Sequence, residues 1–332
     1  MQKKLTRKDL ENIILASSIL SAGGGLRFNE QIKLIEPINK QIILENRPRV
    51  NCLALIPLEI GAANIPLITN KLLIEKLLDK TSLTKKIDSI ITAEMGQESI
   101  AFLTSFISSL PILDIDLAGG RAAPRLPINI FSANALPFTP EGIIAINSQL
   151  QLQKISKISD IFQAEKILRK IAIRNHGSCF IAFIIKISHS MQKIITREHT
   201  ITRALTLGEN IKQANNLRKL NLKKMIEGTI GNVIENSQSG FSQNNIKIIS
   251  SSGKIFKIIN ENENLLLFSE SKILAQAPEI IALFDPKLKR GIHCSEFIEG
   301  RKIKILIFSP IKSWQNKRGK KLWNKFAINE LN

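Results

Sequence analysis

The chain has 332 residues, of which 44% are hydrophobic, so it can bury a substantial core and its length favours two domains. Its formal net charge of +19 is typical of proteins that bind anions, but Lys is frequent along the whole chain, so the charge alone does not indicate a nucleic-acid partner. The lack of Tyr excludes a tyrosine acid, base or oxyanion donor.

The cysteines and the amino terminus indicate the compartment. Cys52, Cys179 and Cys294 lie more than a hundred residues apart, which is not the spacing of a zinc site or a disulfide framework. Residues 1–25 contain the basic and apolar parts of a secretion signal, but Asp9 and Glu11 interrupt them. No apolar run reaches the ~18 residues of a membrane span. We therefore expect a cytoplasmic protein.

The first predicted element is a helix over residues 7–22. Thr6 and Asp9 before and within its first turn have the spacing of a capping pair. Gly23, Gly24 and Gly25 follow it. These glycines end the helix or let the backbone approach a ligand closely, and both interpretations stay open because three glycines exceed what a helix end requires.

Strands and helices alternate in the next part of the chain. Residues 50–56, 88–94 and 111–113 have the composition of strands, and residues 66–80 and 97–109 that of helices between them. This order predicts an α/β domain with a mainly parallel sheet. The segments that follow the three strands, 57–64, 94–99 and 114–121, should therefore meet at one edge of the sheet and form a polar cleft.

The predicted elements change from alternating helices and strands to strands alone in the second half of the chain. Helices are predicted over 160–174 and 200–219, with a strand over 179–187 between them. Beyond Glu227, short β-rich runs separated by Asn, Ser and Gly predict a barrel or sandwich. We therefore expect an α/β domain over 1–225 that carries the site and a β-rich domain over 226–332. Residues 301–325 contain nine Lys or Arg and no acidic residue, which indicates a solvated surface or an anion contact.

Asp114 and Asp116 are the leading candidates for catalysis. They are two residues apart at the end of a predicted strand, so their side chains point to the same side. Two close carboxylates raise each other's pKa, which suits a general acid or base, and they also suit a divalent cation. The structural alternative is that one of them caps the following turn or pairs with Arg121.

Glu94 ends the neighbouring predicted strand with no basic residue close in sequence, so its carboxylate needs a partner from elsewhere. Arg121 is that partner in a structural salt bridge, or its planar guanidinium binds a carboxylate or imide oxygen of a substrate. The four histidines do not have the spacing of metal ligands, so the sequence identifies no metal site.

Six motifs occur in a recognisable order along nearly the whole chain: ILSAGGG at 19–25, AEMG at 93–96, LPILDIDLAGGRAAPRLP at 110–127, TITRALTLGENIKQA at 200–214, NENL at 262–265 and APEII at 277–281. The central motif, with its two alternating aspartates, glycine, arginine, alanine and proline, is the most specific. This order resembles the S-methyl thiohydantoin desulfurase-like family, formerly a domain of unknown function and often associated with hydantoinase-type genes.

The resemblance implies an α/β amino-terminal domain, a β-rich carboxyl-terminal domain and a hydrolase. Water would attack the sulfur-bearing carbon of a hydantoin-like five-membered ring, and sulfide or methanethiol would leave. With the local pattern, the resemblance implies Glu94 or Asp114 as base, Asp116 to orient water or hold a metal, and Arg121 to bind substrate. The implied substrate-binding residues are Gly23, Gly24, Gly25, Gly96, Gln97, Gly119, Gly120, Asn262 and Glu263. A divalent metal would lower the pKa of the attacking water, although no ligand set identifies one.

Departures from the family pattern leave other functions open. Leu26, Arg27 and Phe28 follow the first glycines where the family has a further glycine with Asp-Pro, and Gln97 stands where it has a glycine pair and asparagine. These changes suggest a non-catalytic ligand-binding or accessory protein of a hydantoinase-type system as the alternative. A third hypothesis is nucleic-acid binding through 301–325. We expect a small-molecule substrate, no membrane or nucleic-acid partner, and leave a homo-oligomer open.

Overall fold

The protein contains two eight-stranded sheets with helices packed between and around them. The computed structural model describes residues 2–62, 65, 67–82, 86–138, 140–155, 158–213, 217–235 and 242–331. The strands of the first sheet, called sheet A, are β1 Gln2–Leu5, β2 Ile42–Glu45, β3 Leu53–Gly61, β4 Ser89–Thr92, β5 Ile112–Asp116, β6 Gly142–Ile146, β7 Leu152–Ile155 and β8 Ser178–Lys186. Those of the second, called sheet B, are β9 Lys224–Glu235, β10 Gln243–Ile249, β11 Ile255–Glu261, β12 Glu263–Ser269, β13 Lys272–Gln276, β14 Ile280–Asp285, β15 Arg290–Gly291 and β16 Lys302–Phe308.

The helices surround sheet A and extend to the carboxyl terminus. They are α1 Arg7–Leu20, α2 Phe28–Ile35, α3 Lys71–Ser82, α4 Glu98–Ser108, α5 Ile130–Ala133, α6 Ile161–Arg174, α7 His189–Glu198, α8 Thr200–Gln213, α9 Lys312–Gln315 and α10 Lys317–Trp323. Thr6 and Asp9 form the predicted capping box, with the Thr6 amide 2.7 Å from the Asp9 carboxylate.

Sheet A has the order β1-β2-β5-β4-β3-β8-β6-β7. β2, β5, β4 and β3 are parallel neighbours, β8 runs against β3, and β6 runs against β8. Five of the eight strands therefore run in one direction, which confirms the predicted α/β region with a mixed, mostly parallel sheet. α1, α3, α4 and α8 cover one face, and α5, α6 and α7 cover the other.

Sheet B is antiparallel throughout, in the order β13-β12-β11-β10-β9-β16-β14-β15. The predicted β-rich carboxyl-terminal region is confirmed. Among the described strands the pairing does not close into a barrel, because β13 and β15 end the sheet without pairing to each other. The division into domains at residue 225 stays a prediction.

Helix α1 lies between the two sheets. Leu10, Ile13 and Ile14 belong to the core on sheet A, while Leu15 and Ile19 pack on the opposite side with residues of sheet B. Its apolar residues therefore cover two sides of the helix instead of one stripe, as expected for a helix buried from both directions. This arrangement brings the glycines that follow α1 next to sheet B.

The basic carboxyl-terminal segment returns to sheet A. Trp314 and Trp323 are fully buried against each other at an edge-to-face angle of 77°, and the indole nitrogen of Trp314 donates to Ala118 O at 2.9 Å. The segment 301–325 is therefore anchored by its aromatic residues, while Lys317, Lys320 and Lys321 stay exposed. In the described part of the chain, no helix combines the length and apolarity needed to cross a membrane.

Several strands begin or end at residues other than the predicted ones, and some strands were not predicted. β3 begins at Leu53 and continues to Gly61, further than the predicted 50–56, because its partner β8 pairs with all nine of its residues. β1 and β2 were missed, since QKKL lies at the exposed edge of the sheet and has no apolar alternation. Pro66, Ala63, Asn64 and Ala214, which the predictions included, lie outside the described residues.

Candidate functional site

A cavity of about 90 Å³ lies where the ends of β3 and β4 meet the loop after β5, the loop after α1 and the β11–β12 turn of sheet B. Five of the predicted site residues line it: Gly25, Glu94, Gln97, Asn262 and Glu263. Its position agrees with the predicted cleft at the carboxyl ends of parallel strands. Sheet B also contributes to the cavity, which composition alone did not indicate.

A second hollow, of about 400 Å³, lies beside the β13–β14 turn and α10. Its charged lining residues are Glu279 and Lys320, and neither is buried. The smaller cavity is the better candidate because partly or fully buried carboxyl groups line it, and burial shifts the pKa of a carboxyl group towards the range that acid–base catalysis needs.

Glu94 stands on the cavity wall, one residue beyond the Ala93 that follows β4, and is surrounded by protein on its other sides. Its Oε1 accepts from Gln97 Nε2 at 2.9 Å and its Oε2 from Ala123 N at 3.1 Å. Burial raises the pKa of Glu94 to about 7, and the two hydrogen bonds with the charges of Arg169 and Arg121 oppose this rise. Glu94 is therefore suited to take or give a proton near neutral pH.

Gln97 holds Glu94 in place. Its Oε1 accepts from Glu59 N at 2.8 Å, and its Nε2 donates to Glu59 O at 3.0 Å as well as to Glu94. Both hydrogens of the amide are used, so the side chain has one orientation. Gln97 thus connects the end of β3 to the Glu94 carboxylate, and no donor remains for a ligand.

Glu263 is, besides Glu94, the other carboxyl group of the cavity lining whose pKa is raised; Glu30 and Glu59 also line the cavity. Glu263 follows Asn262, whose φ of +56° makes the sharp turn between β11 and β12, and its residue is 2% exposed. Burial raises the pKa of Glu263 well above its usual value, and the charge of Glu94 adds to the rise while Arg121 opposes it. Its Oε2 has no hydrogen-bond partner among the described residues. The raised pKa favours the protonated form of Glu263, which is the form that can act as an acid.

Buried asparagines hold the turn that carries Glu263. Asn260 Nδ2 donates to Asn262 O and to Asn264 Oδ1, both at 3.1 Å, and Asn264 Nδ2 donates to Ile281 O at 2.9 Å. Asn264 N also donates to Ala22 O at 2.7 Å, which ties the turn to the end of α1. These contacts fix the position of Glu263 relative to the glycine loop.

In the glycine loop, residues 23–25, Gly24 and Gly25 pack too tightly for side chains. A Cβ on Gly24 would lie 2.2 Å from Glu263 Oε1, and a Cβ on Gly25 would lie 2.6 Å from the Cα of Gly96. Of the three, only Gly25 lines the cavity. The loop follows the end of α1, and the close approaches that it makes are to Glu263 and Gly96. An approach to a ligand stays a prediction.

His293 supports the loop from sheet B. Its Nδ1 accepts from Ser295 N at 3.2 Å, so the proton lies on Nε2, which donates to Gly25 O at 3.1 Å. Burial lowers the pKa of His293 to about 4, so the ring is neutral at physiological pH. It has a supporting role and does not contact the cavity.

Asp114 lies away from the cavity. Its oxygens accept from Thr202 N at 2.8 Å, from Thr202 Oγ1 at 2.7 Å and from His199 Nδ1 at 2.9 Å. These contacts cap the first turn of α8, a role that the sequence did not suggest for Asp114. Asp114 does not line the cavity, and its role as a base stays a prediction.

Asp116 is buried beneath the site. Its Oδ2 accepts from Gly120 N at 2.7 Å, and its own amide donates to Thr200 Oγ1 at 2.8 Å. Burial raises the pKa of Asp116 to about 7, and the nearby charge that adds to the rise is that of Glu94. In the described parts of the chain, no three His, Cys, Asp or Glu side chains are arranged to hold a metal, so the suggested cation site finds no support.

Gly119 and Gly120 shape the loop around this aspartate and do not line the cavity. A Cβ on Gly119, whose φ is +74°, would lie 2.7 Å from the indole nitrogen of Trp314. Gly120 donates its amide to Asp116. The predicted substrate-binding glycines at these positions therefore serve the packing of the carboxyl-terminal segment.

Arg121 is 1% exposed and lies behind the cavity wall. Its Nε donates to Ala122 O and its Nη1 to Glu279 O, each at 2.9 Å, and its guanidinium lies 4.1 Å from the ring centroid of Trp323. Arg121 does not form the salt bridge to Glu94 that the sequence suggested. Its guanidinium is also not exposed to the cavity, where it could bind a substrate oxygen. Its charge nevertheless acts on Glu94 and Glu263.

Sequence reasoning missed several groups around the site. Ser17 Oγ lies 2.7 Å from both carboxyl oxygens of Glu98, and Gly96 N donates to Glu98 Oε2 at 3.0 Å. Burial raises the pKa of Glu98 to about 8. Arg125 and Arg169 line the cavity, each with a glutamate partner. The only signal for the Ser17–Glu98 contact would have been the polar Ser17 inside an apolar helix.

The fold and the site define a class: two-sheet proteins with a pair of carboxyl groups at the junction of an α/β sheet and an antiparallel sheet. The family model described as S-Me-THD-like, C-terminal domain, matches residues 159–328, just over half of the chain. The chain belongs to this S-methyl thiohydantoin desulfurase-like family.

The fold has a solved counterpart. A crystal structure of a protein from Chromobacterium violaceum is similar, with a TM-score of 0.72 at 16% sequence identity, over 99% of this chain and 96% of that one. At this identity the likeness concerns the fold alone. No curated protein matches the sequence.

Proposed function

We propose that the protein is a hydrolase that removes sulfur from a hydantoin-like five-membered ring, with Glu94 as the base and Glu263 as the acid. The observation that carries the proposal is a pair of carboxyl groups with raised pKa values on the cavity wall. Glu94 has a pKa of about 7 and two hydrogen bonds to its oxygens, whereas the pKa of Glu263 is raised well above its usual value and its Oε2 has no hydrogen-bond partner among the described residues. Two carboxyl groups in different environments take opposite roles in proton transfer. Family membership supplies the substrate class.

The reaction balances without an oxidant or a reductant. Glu94 takes a proton from water as the water oxygen bonds to the ring carbon that bears sulfur, and Glu263 gives its proton to the adjacent ring nitrogen. The carbon–sulfur bond then breaks, and sulfur leaves as methanethiol with the proton held by Glu94. The hydroxyl proton of the intermediate returns to Glu263 as the ring carbonyl forms. No step is assigned to a metal, because the described donor groups do not form a ligand set.

The remaining wall residues limit what the cavity accepts. At about 90 Å³ the cavity is smaller than the ~150 Å³ that encloses a benzene ring, so a five-membered ring enters with its substituents directed outward. Arg125 and Arg169 lie on the same wall. Each is paired with a glutamate, so they add guanidinium donors rather than net positive charge, which favours a ring with polar substituents.

The test is release of methanethiol and sulfide from a panel of S-methyl thiohydantoins and thiohydantoins. Glu94→Gln should lower kcat/KM by at least about 10²-fold, the usual contribution of a general base. Glu30→Gln is the matched control, because Glu30 also lines the cavity but is paired with Arg27, and it should retain activity. Equal activity of the two variants, or no release from the folded wild type, would overturn the proposal.

A non-catalytic ligand-binding protein is the second candidate. The observation in its favour is that Arg121, expected to hold the substrate, is sealed behind the wall and leaves the cavity without that contact. Calorimetric binding of the same ring compounds without any turnover would identify this function.

A further inference from the structure

Among the described residues, no carboxylate forms a salt bridge with Arg121. Its hydrogen bonds go to the carbonyl oxygens of Ala122 and Glu279, and one face of the guanidinium is covered by Trp323. The two other arginines near the cavity each have a partner: Arg169 contacts Glu165 at 2.7 Å and Arg125 contacts Glu261 at 2.5 Å. A fully buried cation without a countercharge is costly, so the folded protein must supply a negative charge nearby.

That negative charge comes from the carboxyl pair on the cavity wall. The Arg121 loop borders Glu94, since Met95 N donates to Arg121 O at 3.4 Å and Ala123 N donates to Glu94 Oε2 at 3.1 Å. The acidic groups whose charges act on Arg121 are Glu263 and Glu94. Burial lowers the pKa of Arg121 to about 10, so it remains charged at neutral pH. The cluster of Arg121, Glu94 and Glu263 is neutral when one of the two carboxyl groups is ionised. It carries a buried positive charge when neither is ionised and a net negative charge when both are.

We propose that Arg121 is a positioning residue that acts by its charge: it keeps one, and only one, of Glu94 and Glu263 ionised in the folded protein, without touching the substrate. This inference rests on the proposed function and explains why a sealed arginine belongs to the site. One shared proton is the state in which one member of the pair accepts a proton while the other donates.

Other charged groups also face the pair. Asp116 lies below Glu94, Arg169 approaches from α6, Glu261 precedes the turn in β11, and the Cys294 thiol lies on the sheet B side of Glu263. Arg169 and Glu261 are paired with residues outside the pair, and the pKa of the Cys294 thiol is raised by burial, so the thiol is neutral. Arg169 therefore divides its charge between Glu165 and the pair, whereas Arg121 has no salt bridge outside the pair among the described residues.

The experiment is a titration of the glutamate carboxyl carbons by NMR in substrate-free protein, with Glu94 and Glu263 assigned from their Gln variants. Arg121→Gln and Arg121→Met remove the charge, whereas Arg121→Lys keeps it and loses the guanidinium geometry. Loss of the cation should raise the titration midpoint of the pair by about one pH unit or more, as expected for a nearby opposite charge, and Lys should restore at least half of that shift.

Since no substrate is added, this result is independent of whether the protein turns over thiohydantoins. Titration of both neutral variants at the wild-type midpoint, or an equal shift in the Lys variant, would overturn the inference. Unfolding of both neutral variants while Arg121→Lys folds would support it. Unfolding of all three would count against it, because hydrogen-bond geometry and not charge would then be the requirement.

Discussion

Gln97 Nε2 lies 2.9 Å from Glu94 Oε1 while the same amide pairs with the backbone of Glu59. The position of the base is therefore set by β3, the strand next to its own. Gln97 occupies a position where the sequence departs from the family pattern, and in this protein the departure supplies a support for the carboxylate.

Gln97→Met should impair catalysis through Glu94. Loss of a hydrogen bond to the ionised carboxylate, worth about 1.5–3 kcal/mol, raises the pKa of Glu94 further. The base must be ionised to act, so the rising limb of the pH–rate profile moves to higher pH, and kcat/KM at pH 7 falls about tenfold or more. Profiles measured from pH 5 to 10 check this, and the deficit should narrow at high pH. Superimposable profiles would contradict it.

Gly24→Ala should displace Glu263. The new Cβ would lie 2.2 Å from Glu263 Oε1 and 2.8 Å from its Cγ, so the side chain or the loop must shift. We expect a loss of about 1–3 kcal/mol in stability, typical of overpacking, and a drop of at least about tenfold in kcat/KM. Gly142→Ala is the matched control, since no atom lies within 4 Å of its added Cβ. Equal activity of the two variants would count against the role of Glu263.

Glu98→Gln should change how stability depends on pH. The pKa of Glu98 rises from 4.5 to about 8 on folding, so the folded state binds its proton more tightly. The stabilisation is fully present below pH 4.5 and is lost as pH rises through about 8. The Gln variant, which has no proton to lose, should show a flatter fall of Tm between pH 5 and 9. Glu36→Gln, at an exposed carboxyl, is the control and should keep the wild-type slope.

Asp114→Asn should separate stability from catalysis. The variant weakens the cap on α8, so we expect a loss of about 1 kcal/mol in the free energy of unfolding. Turnover per folded molecule should stay within about twofold of wild type, because Asp114 does not line the cavity. Chemical denaturation and the release assay measure the two quantities. A loss of activity comparable to that of Glu94→Gln would contradict this prediction and assign Asp114 a role in catalysis.

The sequence predicted the sheet better than it predicted the direction of the side chains. Strand periodicity places Asp114 and Asp116 on the same side of β5, and the Asp114 carboxylate and the Asp116 amide both contact the start of α8. Periodicity cannot say which face of the sheet borders the cavity, because that depends on where α8 packs, more than eighty residues later. The same reasoning succeeded for Glu94, since strand ends meet at one edge whatever covers the faces.

The groups that were missed depend on contacts between distant parts of the chain. Ser17 and Glu98 are 81 residues apart, and Arg121 reaches Glu279 across 158 residues. No local pattern indicates such pairs. Asn262 and Glu263 came from the family resemblance alone, because an Asn-Glu pair in a turn has no distinguishing local chemistry.

The placement of α1 between the sheets has a consequence for synthesis. Leu15 and Ile19 of this helix share a core with Leu306 and Phe308 of β16, which are synthesised much later. Until β16 has been made, the growing chain carries an apolar surface that lacks these partners, a condition in which chains tend to aggregate. We therefore expect α1 to be a segment that a chaperone shields during synthesis.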